Sequence, residues 1–90
     1  MNDAATGERI RAFVMQKFPA ARKRNIDNKT PLLEAGIVDS MGVLDVVAFL
    51  EQAFKIAISD EELTPENFAD IDNMASFVQG KMEGSRAVAK

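Results

Sequence analysis

From Val43 onward apolar residues recur at Val47, Leu50 and Phe54, the i, i+4, i+7, i+11 spacing of a helix with one buried face. Met41, Asp45, Ala48 and Gln52 fall about half a turn away and are expected to face water or a partner. Ser40 stands at the head of this pattern, with Asp39 before it as N-cap. Upstream, Ile10, Phe13, Val14 and Phe18 share one face of a first helix, while Arg9, Arg11, Gln16 and Lys17 mostly point away. Asp3 and Thr6 are candidate caps for it, Met1 to Thr6 is expected to fray, and Pro19 to end it. Downstream, Asp70 caps a last helix whose Ile71, Met74, Ala75 and Val78 form one face, flanked by Phe77, through about Met82.

The stretches between carry turn signals. Ala20 to Val38 is a long connection that a small domain must tie down, and Leu32, Leu33, Ile37 and Val38 are the apolar residues available for it. Thr30-Pro31 can start a single helical turn, and Gly36 is expected at positive φ where the chain enters the serine helix. Lys55 to Ser59 reads as a short extended exit. Thr64-Pro65-Glu66-Asn67 reads as the start of a very short helix that stops by Phe68. The predicted fold is all-α: a small antiparallel bundle of three main helices plus one short helix, with a long loop between the first two. Residues 1–83 make one domain, and 84–90 a polar tail expected to be disordered.

Composition removes most chemistry from this scaffold. Cys 0 leaves no disulfide, thiolate nucleophile or zinc-thiolate site, and His 0 removes the usual general base. No phosphate-cradling glycine loop occurs, and Ser40 has no lysine at a spacing that marks a base, so an enzyme is not expected. No apolar run approaches bilayer length and no signal-peptide core is seen, so the expectation is a cytoplasmic monomer that engages no membrane. Residues 1–31 balance to +4 and residues 32–90 to −7, so the acidic part begins where the serine helix begins. Arg22-Lys23-Arg24 is short, lacks interleaved aromatics and reads as a solvated turn rather than a nucleic-acid contact. Asp60-Glu61-Glu62 lacks calcium-loop spacing and reads as a helix start or solvated turn, not a metal site.

Ser40 therefore carries the interest. Its hydroxyl projects from the first turn of a helix, where unpaired backbone N–H groups favour an anion such as a phosphodiester. Leu32-Leu33 and Gly36 precede Asp39-Ser40-Met41, a helix closes at Phe54, and Ile58 and Asp60-Glu61-Glu62-Leu63 follow. This arrangement resembles the acyl and peptidyl carrier protein family over about Ile10 to Met82. The form Gly-Ile-Val-Asp-Ser-Met-Gly is similar to D-alanyl and stand-alone aminoacyl carriers more than to fatty-acid carriers. The resemblance implies 4′-phosphopantetheine on Ser40, attached by a phosphopantetheinyl transferase, with an acyl or aminoacyl group held as a thioester.

It also implies that Asp39 and Met41 contact the transferase, and that Met41, Asp45 and Ala48 meet other enzymes of acyl transfer or condensation. Fatty-acid carriers have several acidic residues along this helix. Here only Asp45 and Glu51 remain, with Gly42, Ala48, Phe49 and Ala53 at positions often polar there. An adenylating ligase loading an aminoacyl or short acyl group is therefore favoured over a fatty-acid or polyketide role. A reading from another class stays open, an unmodified helical domain that bridges larger proteins.

Overall fold

The first helix ends just before Pro19, as expected, but Pro19 also opens a second helix that the periodicity did not predict. The computed structural model describes the backbone of residues 2–89 and the side chains of residues 5–83. Helix α1 spans Asn2–Lys17 and α2 Pro19–Arg24, with Phe18 in extended conformation between them. A proline at the first helical position gives up an N–H that would have no intrahelical acceptor, so it starts α2 without penalty. The basic triplet is thus helical, not a turn. Its Arg22 donates to the carbonyls of Met15 (2.8 Å) and Gln16 (3.0 Å), satisfying acceptors that the end of α1 leaves open. Lys23 and Arg24 are exposed. Asn25 closes α2 in the left-handed region at φ 52°, with Ile26 N–H donating to Ala21 O.

Thr6 is likewise no cap. It lies inside α1, 4% exposed, and its hydroxyl accepts from Gln79 Nε2 at 2.9 Å. Helix α3 covers Ser40–Phe54 and α4 Ile71–Ala89, with α1 packed chiefly along α4. The expected disorder over 84–90 falls on side chains outside the described residues. Ile10, Val14, Leu50, Ile71, Met74 and Val78 are buried to within 1% of full enclosure. At about 25 cal/mol per Å² of apolar surface, these side chains supply the main drive for folding. Along α3 the buried row is Gly42, Val46, Leu50 and Phe54, so Val43 and Val47, expected in the centre of the face, are its half-buried flank.

The short helix expected at Thr64 is not one. Residues 64–68 form hydrogen-bonded turns, with Asn67 N–H on Thr64 O and Phe68 N–H on Pro65 O. A 3-10 turn precedes them at Asp60–Glu62, so the short α-helix of the fold is α2. Glu62 fastens this connection: it accepts from Ser59 N–H at 2.9 Å and from Lys81 Nζ at 2.9 and 3.0 Å. Among the described residues no strand occurs, and no helix is long and apolar enough to cross a membrane.

The Ser59 amide first, and the Lys81 ammonium second, hold the Glu62 carboxyl below the ordinary glutamate range. Folding lowers this pKa, so its contribution to stability is present above the unfolded value, about 4.3. That contribution is lost as pH falls through the folded value. Glu62→Gln should therefore lower the melting temperature at neutral pH, and the deficit should narrow as the pH is taken below about 4. Melting curves across that range check it; a deficit of constant size would mean that the carboxylate charge is not what Glu62 contributes.

Candidate functional site

The serine is placed by a cap and by a loop with little freedom. Asp39 is extended (φ −97°, ψ −176°) and its Oδ1 accepts from Gly42 N–H at 2.7 Å, while its carbonyl accepts from Val43 N–H at 2.9 Å. The expected cap is present. Ser40 follows as the first residue of α3 and is exposed. Upstream, Leu32 is 1% exposed and donates its N–H to Ala69 O at 2.8 Å. Its own carbonyl accepts from both Ile37 and Val38 N–H, at 3.0 and 3.1 Å. Pro31 to Ala35 makes the single turn expected there, and Gly36 takes φ 76°, where a side chain would be strained. Leu32, Ile37 and Val38 are buried and Leu33 half-buried, so the expected ties all contribute.

Farther back the same connection is pinned to α1 and to α4. Arg11 donates from Nε and Nη2 to Ile26 O at 3.2 and 3.1 Å, and Asp72 N–H donates to Asn28 O at 3.0 Å. The loop arrives at Ser40 fixed at several points.

Beside the serine lies an apolar cleft of about 290 Å³, with Ser40 at its lining and Leu33, Val43, Leu44, Leu63, Pro65 and Phe68 making the walls. It is contributed by the loop, by the first two turns of α3 and by the connection before α4, elements far apart in sequence. Ser40's neighbours divide by face. Met41 is 74% exposed, and Asp39, Asp45, Ala48 and Gln52 are exposed as expected. Leu44 joins them at 57% and was missed, although an isolated leucine off the buried stripe is the sign that marks such a position.

Charge on this face is sparse. Asp45 has Lys17 Nζ at 4.0 Å, and Glu51 is turned inward, its Oε2 accepting from Ile58 N–H at 2.9 Å. Of Gly42, Ala48, Phe49 and Ala53, at positions often polar in fatty-acid carriers, only Ala48 is exposed: Gly42 is buried and the other two half-buried.

Ser40 thus stands exposed at the start of a long helix and beside an apolar cleft. The model of the phosphopantetheine attachment site matches residues 8–78. The chain belongs to the phosphopantetheine-binding carrier proteins. A relative of this carrier, "Probable acyl carrier protein PigG" of Serratia sp. (strain ATCC 39006), is 39% identical over 66 residues, which cover 73% of this chain and 76% of the relative. The carrier's prosthetic group is covalently attached 4′-phosphopantetheine, and acyl carrier proteins as a class hold cargo rather than catalyse its reactions.

Proposed function

We propose that this carrier receives 4′-phosphopantetheine on Ser40 and presents an aminoacyl or short acyl thioester to its partner enzymes without catalysing a reaction itself. The observation that carries this reading is the exposed Ser40 hydroxyl at the N-terminus of the 15-residue helix α3, inside the stretch that matches the attachment-site family. The residues present fit an attached phosphodiester. The first amides of a helix have no intrahelical acceptor and carry the positive end of its dipole, so Ser40 and Met41 offer N–H groups to an anion. The nearest carboxylate, Asp39, spends Oδ1 on the Gly42 amide, which leaves the Ser40 and Met41 amides to the anion.

In the transfer step Ser40 Oγ attacks the phosphorus of the pantetheine-bearing phosphate of coenzyme A. A new O–P bond forms as the bond to the adenosine-side phosphate breaks, and adenosine 3′,5′-bisphosphate leaves. The serine proton passes to a base on the transferase, because this chain has His 0 and the Asp39 carboxylate beside Ser40 is engaged by the Gly42 amide. The attached arm supplies the thiol on which cargo is held as a thioester, a group the chain itself lacks with Cys 0.

Partner recognition falls to Asp39, Met41, Asp45 and Ala48, with Leu44 added by its exposure. With Glu51 turned inward and Asp45 facing Lys17, this face offers apolar contact and little net charge. That favours an adenylating ligase with an apolar contact surface over enzymes that read a row of carboxylates. The cleft of about 290 Å³ lies at the small end of ligand-pocket volumes and suits a short cargo.

Incubation with coenzyme A, magnesium and a broad-specificity transferase should add one phosphopantetheine to the intact mass of the wild type and none to Ser40→Ala. A wild type left unmodified by several transferases would sink the reading. Met41→Asp places a carboxylate near the positive end of α3, so the fold should hold to within about 0.5 kcal/mol. Desolvating that charge against an apolar enzyme surface should weaken docking by about 2 kcal/mol or more. Melting curves and initial rates of arm transfer, taken on one preparation, test this. Normal melting with normal rates would move the contact surface off Met41.

A further inference from the structure

Gly42 is two residues past Ser40 and is the first member of the buried row of α3. A β-carbon there would stand 2.8 Å from Phe18 Cε1, 3.2 Å from Phe18 Cζ and 3.2 Å from Asp39 Oδ1. The first distance is shorter than real carbon contacts, so the ring of Phe18 occupies the space that any side chain at 42 would need. The same residue's N–H is the one that Asp39 caps, at 2.7 Å. One edge of the first turn of α3 is thus filled by an aromatic ring from the α1–α2 junction, and the other is closed by the cap.

The ring is not free to withdraw. Phe18 lies edge-on to Phe13 with centroids 6.4 Å apart, Phe13 stacks on Phe49 at 4.3 Å with the planes 9° apart, and Phe49 meets Phe54 edge-on at 6.2 Å. Arg9 closes the far end of the row, its guanidinium 4.5 Å from the Phe54 centroid. The row runs from the first turn of α3 to its last residue, so displacing Phe18 disturbs the packing of α1 on α3 along its length. Pro19 adds to this. It fixes the start of α2 immediately after Phe18, with Phe18 N–H still bonded to Val14 O at 2.9 Å.

We propose that Phe18 is a positioning residue for phosphopantetheine transfer, its ring seated in the socket left by Gly42 and holding the first turn of α3 so that the Ser40 hydroxyl meets the transferase in one orientation. The inference rests on Ser40 as the attachment residue. In the transfer, Ser40 Oγ gains the bond to phosphorus, adenosine 3′,5′-bisphosphate leaves, and Phe18 touches neither. Its effect is on geometry, where small misplacement of a nucleophile is costly.

The test uses the full chain with coenzyme A, magnesium and a broad-specificity transferase, following release of adenosine 3′,5′-bisphosphate for wild type, Ser40→Ala, Gly42→Ala, Phe18→Leu and Phe18→Leu/Gly42→Ala. Rates are taken at a temperature where circular dichroism shows each variant folded. Gly42→Ala should lower kcat about tenfold with little change in KM, and Phe18→Leu should lower it less by leaving the socket loose. The double variant should return to within about twofold of wild type, because the smaller side chain at 18 makes room for the methyl at 42. A merely structural role would lower the melting temperature of Gly42→Ala and leave kcat of the folded protein unchanged. That result overturns the proposal, as does a folded double variant no faster than folded Gly42→Ala. If Gly42→Ala does not fold, Phe18→Leu with unchanged kcat overturns the proposal, and a reduced kcat that the double variant restores supports it. Transfer to Ser40→Ala, or none to wild type, overturns instead the assignment of Ser40.

Discussion

A buried leucine in the middle of a long loop holds the two halves of the molecule in register. Leu32 sends its N–H to Ala69, in the connection before α4, and takes the N–H groups of Ile37 and Val38, just before α3, on its own carbonyl. Its side chain is in the core. One residue thus fixes the approach to Asp39 and Ser40 against the approach to Ile71. Without it the segment between the pin at Asn28 and the cap at Asp39 would lose its backbone tie to the approach to α4, and ordering costs about 1–2 kcal/mol per residue in backbone entropy alone. The cleft beside Ser40 depends on the same tie, because its walls come from both of the segments that Leu32 joins.

Around that tie the molecule separates holding from showing. The inner side of α3 is held by the aromatic row, by Val46 and Leu50, and by the inward turn of Glu51 onto Ile58. The outer side shows Met41, Leu44 and Ala48, with Ser40 at its head. Exposed apolar residues beside Ser40 cost stability little when scattered, and they gain value when a partner covers them. A methionine among them has the flexibility to meet more than one surface. Rigidity behind the serine and adaptability in front of it suit a protein whose work is to be recognised in succession by different enzymes.

Much of this was legible in the chain. The faces of α1 and α4, the caps at Asp39 and Asp70, the left-handed Gly36 and the exposed positions 41, 45, 48 and 52 all follow from local rules of periodicity, capping and backbone sterics. What escaped was tertiary in origin. Three valines at 43, 46 and 47 leave the phase of α3 ambiguous by about one residue, and a glycine carries no hydropathy signal to resolve it. The choice is made by Phe18, which needs the space at 42. Pro19 marks both the stop of α1, which was legible, and the start of α2, which was not and is supported by Arg22 reaching back to the open carbonyls of α1. Glu51 reads as a surface charge until the turn at Lys55 brings the Ile58 amide within reach.

We propose that one hydroxyl, Ser40 at the head of α3, carries the arm. The hydroxyls of Thr30, Ser59, Thr64 and Ser76 lie on turns or farther along a helix, where no open set of helix amides faces an anion. The most direct measurement is fragmentation mass spectrometry of peptides from protein already loaded by a transferase, locating the pantetheine residue by residue. The prediction is that all of the added mass sits on Ser40, in a peptide that also contains Asp39 and Met41. Pantetheine found on any other serine or threonine, with Ser40 unmodified in the same sample, would contradict it.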